Sequence, residues 1–532
     1  MIKAPGRPEL AVNMMKLMKI FKPERVILSG VFIVIFAFPL HATDESINPS
    51  SWVYNALRRF ELLGLVEVSP DMPMSRSEAE GYVYLIEKKI KDGNIGLKGY
   101  ERFLLERLKE EFAGKEDNPS LREDRPVVVF MDNDRMIMGD ISVGGQWQKV
   151  LDRERGEIDG TFIPEVTAGL GSHVTLQSNY LIEIAPEVGS NKRNMKPSPR
   201  LKSFRGITSL YERGYIAVHG NGWRLNFGRD YLNFGSSLDE GLLISRTAGS
   251  FDKVSFDFSV GRLRFKTLHA VLEPEMERRL AGHRLIVSFP RGIFIGIGET
   301  VLYTGRGFDI TYLMPFSAYY ANQFNERGDD NILWSVDWKA PIIRGVIFYG
   351  EFLIDDLQYE REEPAPDRIG TNIAVEAMVP LGPEYLSINL SYTYIDIFTY
   401  AHKDSLHTCY VTGDGRYPFN PLIGSSLGPD ADRWRVRISY PFYRRFIAGL
   451  NLEFLRRGEG NNLREWDRIE DPDPKFPSGN VLSEKEISVD GLYDLKRGSY
   501  IYFSWGVRRF SCEVEGVNES RAFGKVGVLF DL

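Results

Sequence analysis

The sequence predicts a mainly β protein: a transmembrane antiparallel β-barrel of about 18 strands preceded by a small α-helical domain. Residues 1–42 have the layout of an export signal, and residues 43–120 carry apolar residues at helical spacing. Most of residues 126–532 instead alternate apolar and polar residues with a period of two. Such alternation indicates strands that face hydrocarbon on one side and a polar interior on the other.

Composition narrows the functional classes. The chain has 532 residues, enough for more than one domain, and its net charge of −7 is small for that length. The absence of a basic excess argues against a nucleic-acid binder. Beyond the first forty or so residues, no apolar run reaches the roughly 18 residues that a transmembrane helix needs. A barrel remains possible because its strands do not register as long apolar runs.

The N-terminus resembles a secretory signal peptide. Four basic residues between positions 16 and 25 precede the apolar run Val26–Leu40, and Ala42 offers a small residue for cleavage before a polar stretch. We therefore predict Sec-dependent export of the chain to the outer membrane of a diderm bacterium. An uncleaved N-terminal anchor is the alternative.

Three amphipathic segments predict a small helical bundle on the periplasmic or wall side. They are Ser51–Leu65, Ser75–Lys91 and Glu101–Phe112. Ser75 and Glu78 match the Ser-x-x-Glu capping box.

The residues around Trp52 and Arg76 resemble an S-layer-homology module. Pro49–Leu57, Leu63–Val66 and Ser75–Ala79 follow the pattern Trp-Ala-x-x-Ala-Leu, Gly-Leu and Thr-Arg-x-Glu-Ala. The resemblance implies a role for Trp52 and Arg76 in binding peptidoglycan or another cell-wall polymer. The alternative is that Trp52 is a core aromatic residue.

Strand-length runs follow from Pro126 onward. Leu386–Tyr394, Arg433–Tyr440 and Ile501–Arg508 each alternate apolar and polar residues. Their length is near the roughly 9–11 residues of a tilted membrane strand. Gly220–Gly222 between two such runs predicts a tight hairpin. A soluble sandwich does not usually repeat this pattern over so many residues.

The chain end and the longer polar stretches fit the same topology. The apolar residues Val526, Val528, Phe530 and Leu532 alternate to the last position. A closing strand of this kind is typical of barrels whose C-terminus is read by the barrel assembly machinery. We predict that the polar stretches 186–199, 358–367, 399–432 and 456–480 form extracellular loops.

Signals for enzymatic or metal chemistry are weak. Gly424–Gly428 fits Gly-x-Ser-x-Gly, but it lies in a loop rather than at a strand–turn–helix junction, so chance explains it better than a lipid-hydrolysing Ser426. His402, His407 and Cys409 have no regular fourth ligand. Cys409 and Cys512 are expected to be two unrelated structural cysteines, although a disulfide stays open. We predict no enzyme activity, metal or cofactor.

Several motifs in the middle of the chain resemble the capsule assembly protein family Wzi. They are Gly228-Arg229-Asp230, Gly241–Ser245, His283-Arg284-Leu285, Gly296–Glu299 and Leu313-Met314-Pro315. The resemblance covers residues 139–356 well and the rest by architecture. It gives the family-motif positions Gly228, Arg229, His283, Arg284, Glu299 and Pro315. In the last motif, Met314 replaces the family's Asn.

The resemblance implies a non-enzymatic, lectin-like protein that attaches or assembles capsular or related exopolysaccharide on the outer membrane. It also implies an occluded barrel. A porin-like channel, tethered to the cell wall by the helical domain, is the alternative.

Alternation directs several charged residues into the lumen, because a charge on the lipid face costs roughly 2–4 kcal/mol at the bilayer midplane. Candidate polysaccharide contacts are the basic row Arg433, Arg435 and Arg437, the acidic pair Glu351 and Asp355, and the loop aromatics Tyr400 and Tyr410. The alternatives are an internal salt-bridge network for the charges and loop packing for the tyrosines, and we favour the network.

Overall fold

The computed structural model describes thirteen segments of the chain. They are residues 44–112, 128–132, 135–150, 157–169, 173–184, 207–314, 316–326, 329–357, 366–410, 422–463, 474–495, 499–512 and 516–531. The predicted signal peptide at 1–42 lies outside these residues.

Five α-helices are present in the described segments: α1 Trp52–Leu62, α2 Arg76–Gly93, α3 Gly99–Phe112, α4 Ile310–Leu313 and α5 Tyr319–Glu326. The first three confirm the predicted helical segments. Ser51 and Ser75 are the N-caps of α1 and α2, and the Ser75 hydroxyl accepts a hydrogen bond from the Glu78 amide at 3.3 Å. No helix in the described part of the chain is both long and apolar enough to cross a bilayer.

The remaining chain is almost entirely strand. The strands are β1 Val128–Asp132, β2 Arg135–Val150, β3 Glu157–Gly169, β4 Val174–Ile184, β5 Ile207–Gly220, β6 Trp223–Tyr231, β7 Ser250–Val260, β8 Leu263–Glu273, β9 Arg278–Phe289, β10 Ile293–Tyr303, β11 Asn331–Ile343, β12 Val346–Asp356, β13 Arg368–Leu381, β14 Glu384–Ile395, β15 Ala431–Tyr443, β16 Phe446–Arg457, β17 Leu482–Asp494, β18 Tyr500–Cys512 and β19 Val517–Asp531.

Each strand pairs antiparallel with its successor, and β19 pairs back with β2 to close the ring. Phe523–Asp531 of β19 lies against Ser142–Val150 of β2, while β1 takes the same edge of β2 beyond the end of β19. The sheet has 19 strands, and the ring without β1 therefore has 18. The predicted barrel of about 18 strands is confirmed.

The outward face is apolar. In β18, Ile501, Phe503 and Trp505 are 41%, 41% and 69% exposed, whereas Gly506 between the outward positions is buried. Exposed aromatic and aliphatic side chains at every second position are what a hydrocarbon-facing wall requires.

The two ends of the barrel differ. One end has tight turns such as the predicted Gly220–Gly222 hairpin, and the other carries the long connections. Helices α1–α3 pack against the tight-turn end: the Gly345 amide donates to the Leu62 carbonyl at 2.8 Å, and Lys98 Nζ donates to the Glu384 carbonyl at 2.8 Å. Short turns are periplasmic and long loops extracellular in such barrels, so the helices close the periplasmic end.

The helical domain and the barrel share one hydrophobic core. Leu57 and Phe60 of α1 are fully buried in a cluster that also contains Ile347 and Tyr349 of β12. The helices therefore form a separate unit along the sequence but not in packing.

Candidate functional site

The connection between β6 and β7 folds into the barrel instead of outward. This lumen loop, residues 232–249, buries Phe234, Leu242 and Ile244 completely. An isolated bridge between Phe234 and Ile244 closes it into a narrow hairpin. Since the loop starts at the extracellular end, it fills the lumen from outside.

Side chains of the opposite wall hold the lumen loop. The Leu243 amide donates to Glu351 Oε1 at 3.1 Å, and the Ser236 hydroxyl donates to Asp337. Gly235 has φ +139°, and a Cβ there would lie 2.6 Å from Glu351 Oε2, so only glycine fits. Glu351 is fully buried at its predicted inward position.

The predicted basic row meets acidic partners. Arg433 Nη2 lies 3.8 Å from Glu240 Oε1. Arg435 Nη1 lies 3.5 Å from Asp239 Oδ1, and its Nη2 lies 2.8 Å from Glu453 Oε2. Arg433 is buried, as the salt-bridge interpretation requires. Burial acts to raise the pKa of Asp239, but Arg435, the Ser391 hydroxyl and two further arginines together outweigh burial, so the pKa is lowered.

Arg437 ends the basic row. Its Nη2 donates to Asp490 Oδ2 at 2.8 Å, and 46% of its side chain is exposed, against 33% for Arg435 and 8% for Arg433. Solvent access therefore rises along the row, and the role of all three as polysaccharide contacts stays a prediction.

A second segment enters the lumen from the periplasmic end. This plug segment, residues 65–75, carries Asp71, which is 1% exposed. Its carboxylate lies 2.8 Å from Lys266 Nζ, 3.2 Å from Arg264 Nε and 3.5 Å from Arg284 Nη1. Burial acts to raise the pKa of Asp71, but these cations lower it overall.

The plug segment and the lumen loop meet inside the barrel. Met72 forms a β-bridge with Asn233. Arg284 is fully buried between them, 2.6 Å from Asp337, which also accepts the lumen-loop serine. Two protein segments therefore meet inside the lumen, and full occlusion of the barrel stays an expectation from the family resemblance.

A polar cavity of about 330 Å³ remains beside the plug segment, next to the turn between β5 and β6. Its lining includes charges of both signs, among them Asp44, Arg224, Asp257 and Lys266. No group of three or more His, Cys, Asp or Glu side chains in the described segments is arranged to hold a metal ion.

The aromatic candidates Tyr400 and Tyr410 are buried, so they do not form the exposed stacking surface that a sugar contact requires. The Tyr400 hydroxyl donates to the Leu242 carbonyl at 2.7 Å, and its amide donates to Asp355 Oδ2 at 2.6 Å. The Arg278 guanidinium lies 3.7 Å from the centre of the Tyr410 ring. Tyr400, Tyr410 and Asp355 thus pack the base of the extracellular loops.

The Gly-x-Ser-x-Gly segment is another support of the lumen loop. Both the Ser425 and Ser426 hydroxyls donate to Glu240 Oε2, at 3.1 and 2.8 Å. A Cβ on Gly424 would lie 2.2 Å from the Leu242 carbonyl oxygen. The serines therefore bind a carboxylate of the loop at the place where a hydrolase would need a general base.

The family-motif positions divide between the two faces of the wall. Gly228 and Arg284 face the lumen, and Gly228 at φ +129° lets the backbone approach Tyr215. Arg229, His283 and Glu299 occupy the outward register. Arg229 Nη1 donates to Asp252 at 2.9 Å, and His283 Nε2 lies 3.2 Å from Glu299 Oε2. The remaining motif position, Pro315, lies outside the described residues.

The cell-wall candidates of the helical domain have intramolecular partners. The Arg107 guanidinium lies 3.9 Å from the centre of the Trp52 ring. Arg76 is buried and forms ion pairs with Glu45 at 3.1 Å and Glu111 at 3.5 Å. These contacts stabilise the helical domain, and binding of a wall polymer stays a prediction.

Sequence reasoning missed the lumen loop, the plug segment with its Asp71, and Asp337 of β11. Residues 232–249 carry several apolar side chains in a stretch too irregular for a strand. An apolar loop at the extracellular end was the one available signal that this connection is buried rather than solvated.

Comparison with known proteins identifies the architecture and the family. The family model described as Capsule assembly protein Wzi matches residues 164–511. The chain also resembles the solved structure of Escherichia coli Wzi, with a TM-score of 0.58 and 12% identity over 92% of this chain and 99% of that one. That protein is described as a carbohydrate-binding β-barrel of the outer membrane involved in group 1 capsule assembly.

Pseudomonas aeruginosa barrels match less well. OprD has a TM-score of 0.43 at 10% identity, covering 74% of this chain and 95% of its own. OpdK, solved with vanillate, has a TM-score of 0.43 at 11% identity, covering 74% and 98%. No curated protein matches the sequence.

Proposed function

The chain belongs to the capsule assembly protein Wzi family, and from this membership we propose that it holds capsular or related exopolysaccharide on the cell surface, in a lectin-like and non-enzymatic manner. It is an outer-membrane β-barrel. In this proposed role, the barrel does not conduct the polymer, and the protein binds the polymer without modifying it.

The two protein segments inside the lumen are the observation that carries the proposal. The lumen loop and the plug segment meet at Met72 and Asn233, and the buried pair of Arg284 with Asp337 lies beside that junction. A polymer chain passing along this part of the lumen would have to displace a buried ion pair. This supports retention rather than passage of the polymer and disfavours the porin-like alternative.

The contacts of Ser426 fit a structural role for this residue. Ser426, the predicted nucleophile of the enzyme alternative, donates its hydroxyl to Glu240 of the lumen loop, and this carboxylate also lies 3.8 Å from Arg433. Among the predicted polysaccharide contacts, Arg435 and Arg437 are the charges with the most solvent access. We propose these two as the contacts of an acidic polymer.

The test is a comparison of cell-bound and released polysaccharide. Deleting the gene is expected to leave total polymer unchanged and to move a large share of it into the medium, and the intact gene restores retention. Unchanged retention in the deletion strain would contradict the proposal. Purified protein in planar bilayers is expected to give little steady conductance, whereas porin-like conductance would favour the alternative.

The two arginines can be tested separately from the fold. Arg435→Gln with Arg437→Gln is expected to lower retention and the binding of purified protein to acidic polysaccharide. Arg444→Gln removes the same charge from an exposed ion pair with Glu106 at the periplasmic end, so it is the matched control. If the Arg435→Gln, Arg437→Gln double variant and the Arg444→Gln control bind the polymer equally, the two arginines do not contact it, but the proposed function is not contradicted.

A further inference from the structure

The long connection between β10 and β11 folds over the outside of the barrel. This outer flap, of which residues 304–314, 316–326 and 329–330 are described, includes α4 and α5. Its Tyr312 and Tyr319 are buried against Ala281 of β9 and Val301 of β10. Those strand positions are outward, because Ile297 on the same register of β10 is 57% exposed.

A carboxylate on the barrel wall fastens the flap. Glu299 accepts hydrogen bonds from the Tyr319 and Tyr320 amides, at 2.9 and 3.1 Å, where α5 begins. Trp334 Nε1 donates to the same carboxylate at 2.7 Å, and His283 Nε2 lies 3.2 Å from it. An anionic group at a helix N-terminus is favourable because the first amides have no partner within the helix.

The fastening group lies at membrane depth. Strand β10 runs from Ile293 at the periplasmic end to Tyr303 at the extracellular end, 11 residues, which is the length that spans the hydrocarbon. Glu299 belongs to the outer half of that strand. Without the flap, Glu299 and His283 would face lipid, where a charge is costly.

The free side of the flap is apolar. Its large exposed side chains are Phe308 (55%), Ile310 (74%), Leu313 (46%), Met314 (59%), Phe316 (83%) and Tyr320 (40%). The Phe316 ring lies 4.9 Å, centre to centre, from Phe265 of the barrel wall. The apolar side of the flap thus continues the apolar belt of the barrel instead of standing apart from it.

We infer that the outer flap is inserted in the membrane. Its exposed apolar side chains lie among the acyl chains of the outer leaflet, and Glu299 holds it against the barrel wall. Lipid is the occupant because the flap extends a surface that already faces hydrocarbon, at the depth of the outer leaflet. The inference goes beyond polysaccharide retention and stands independently of it.

Site-directed labelling of the intact protein tests whether the flap is inserted in the membrane. An environment-sensitive fluorophore is attached to Phe316→Cys, and the protein is reconstituted into phosphatidylcholine vesicles with or without bromine on the acyl chains. Ile297→Cys on the barrel wall is the lipid-exposed reference. Tyr84→Cys in α2, 63% exposed, is the solvent reference. Cys409 and Cys512 are both buried, and their background is measured on the unsubstituted protein.

The label at position 316 is expected to show blue-shifted emission and quenching by bromine similar to that at position 297. Emission and quenching like those at position 84 would overturn the inference. Disulfide crosslinking of Phe316→Cys between two copies, without quenching, would also overturn it and assign the surface to a second copy.

The role of Glu299 in holding the flap is tested by adding Glu299→Ala to the proteins labelled at position 316 or 297. Quenching at position 316 is expected to fall towards the solvent reference while quenching at position 297 stays unchanged. Heat-modifiable gel mobility shows whether the barrel has folded. Glu299→Gln keeps one carbonyl acceptor, so its quenching at position 316 is expected to lie between that of the protein with Glu299 and that of Glu299→Ala. Full quenching at position 316 in a folded Glu299→Ala barrel would show that Glu299 does not seat the flap.

Discussion

The lumen loop and the outer flap leave the same end of the barrel and fold in opposite directions. Each is held by a glutamate on a strand that accepts backbone amides: Glu351 binds Leu243 inside, and Glu299 binds Tyr319 and Tyr320 outside. The surroundings of the two glutamates differ. Inside the barrel, buried ion pairs surround the lumen loop. Outside, the flap packs its own tyrosines against the wall and exposes apolar side chains.

The difference shows what each face of the wall permits. The lumen is a polar interior in which a charged wall can be neutralised by opposite charges from inserted segments, as Asp71 does for Arg284. On the described outward face, Arg229 pairs with Asp252 on the neighbouring strand, and Glu299 is covered by the flap. Removing a support inside should therefore disturb far more than removing one outside.

The largest effect is expected from a pair of adjacent residues that face opposite sides. Arg284→Ala removes a fully buried guanidinium and leaves Asp337 without its cation, so the free energy of unfolding should fall by about 3–5 kcal/mol. His283→Ala leaves Glu299 three other donors and should cost only about 1 kcal/mol. Urea unfolding of the purified barrels measures both, and equal losses would contradict the proposed asymmetry.

A methyl group added to each region gives the next effect. In Gly424→Ala the new Cβ would contact the Leu242 carbonyl at 2.2 Å, which should displace the lumen loop, cost about 1–3 kcal/mol and raise conductance in planar bilayers. Gly307→Ala in the outer flap meets nothing within 4 Å and is the matched control. Conductance that does not change in Gly424→Ala would mean that the loop holds its place by other contacts.

A smaller loss is expected from one hydroxyl. Tyr400→Phe removes the donor to the Leu242 carbonyl and should lower the free energy of unfolding by about 0.5–1.5 kcal/mol. Tyr84→Phe, on the exposed side of α2, should leave stability unchanged. If both variants unfold at the same urea concentration, the Tyr400 hydroxyl does not stabilise the lumen loop.

Acid is expected to loosen the plug segment while leaving the protein unaffected at neutral pH. The pKa of Asp71 is lowered from its ordinary value of 3.8, so its contribution is fully present above pH 3.8 and is lost as the pH falls through the lower folded-state pKa. Bilayer conductance measured from pH 7 to pH 3 should rise only at the acid end. Asp71→Asn should lack this step, and a step of equal size in that variant would assign it to another group.

The barrel could be predicted from sequence because its signal is local. The alternation in Ile501–Arg508 sets which side chains face lipid, and the turn at Gly220–Gly222 sets the connection. The direction of Glu351 and of the arginine row followed from the same rule. The site was harder to predict, because Tyr400 and Tyr410 carry no local sign of being buried.

The sequence by itself determined the approximate strand count, the two faces of the wall and the small helical domain, since period and capping act between near neighbours. Only the tertiary structure decided which long connection turns inward and which outward. That choice depends on partners such as Ser236 with Asp337, or Asp71 with Arg284, 101 and 213 positions apart. Those charges meet only once the ring has closed, because closure is what brings distant strands to face one another across the lumen.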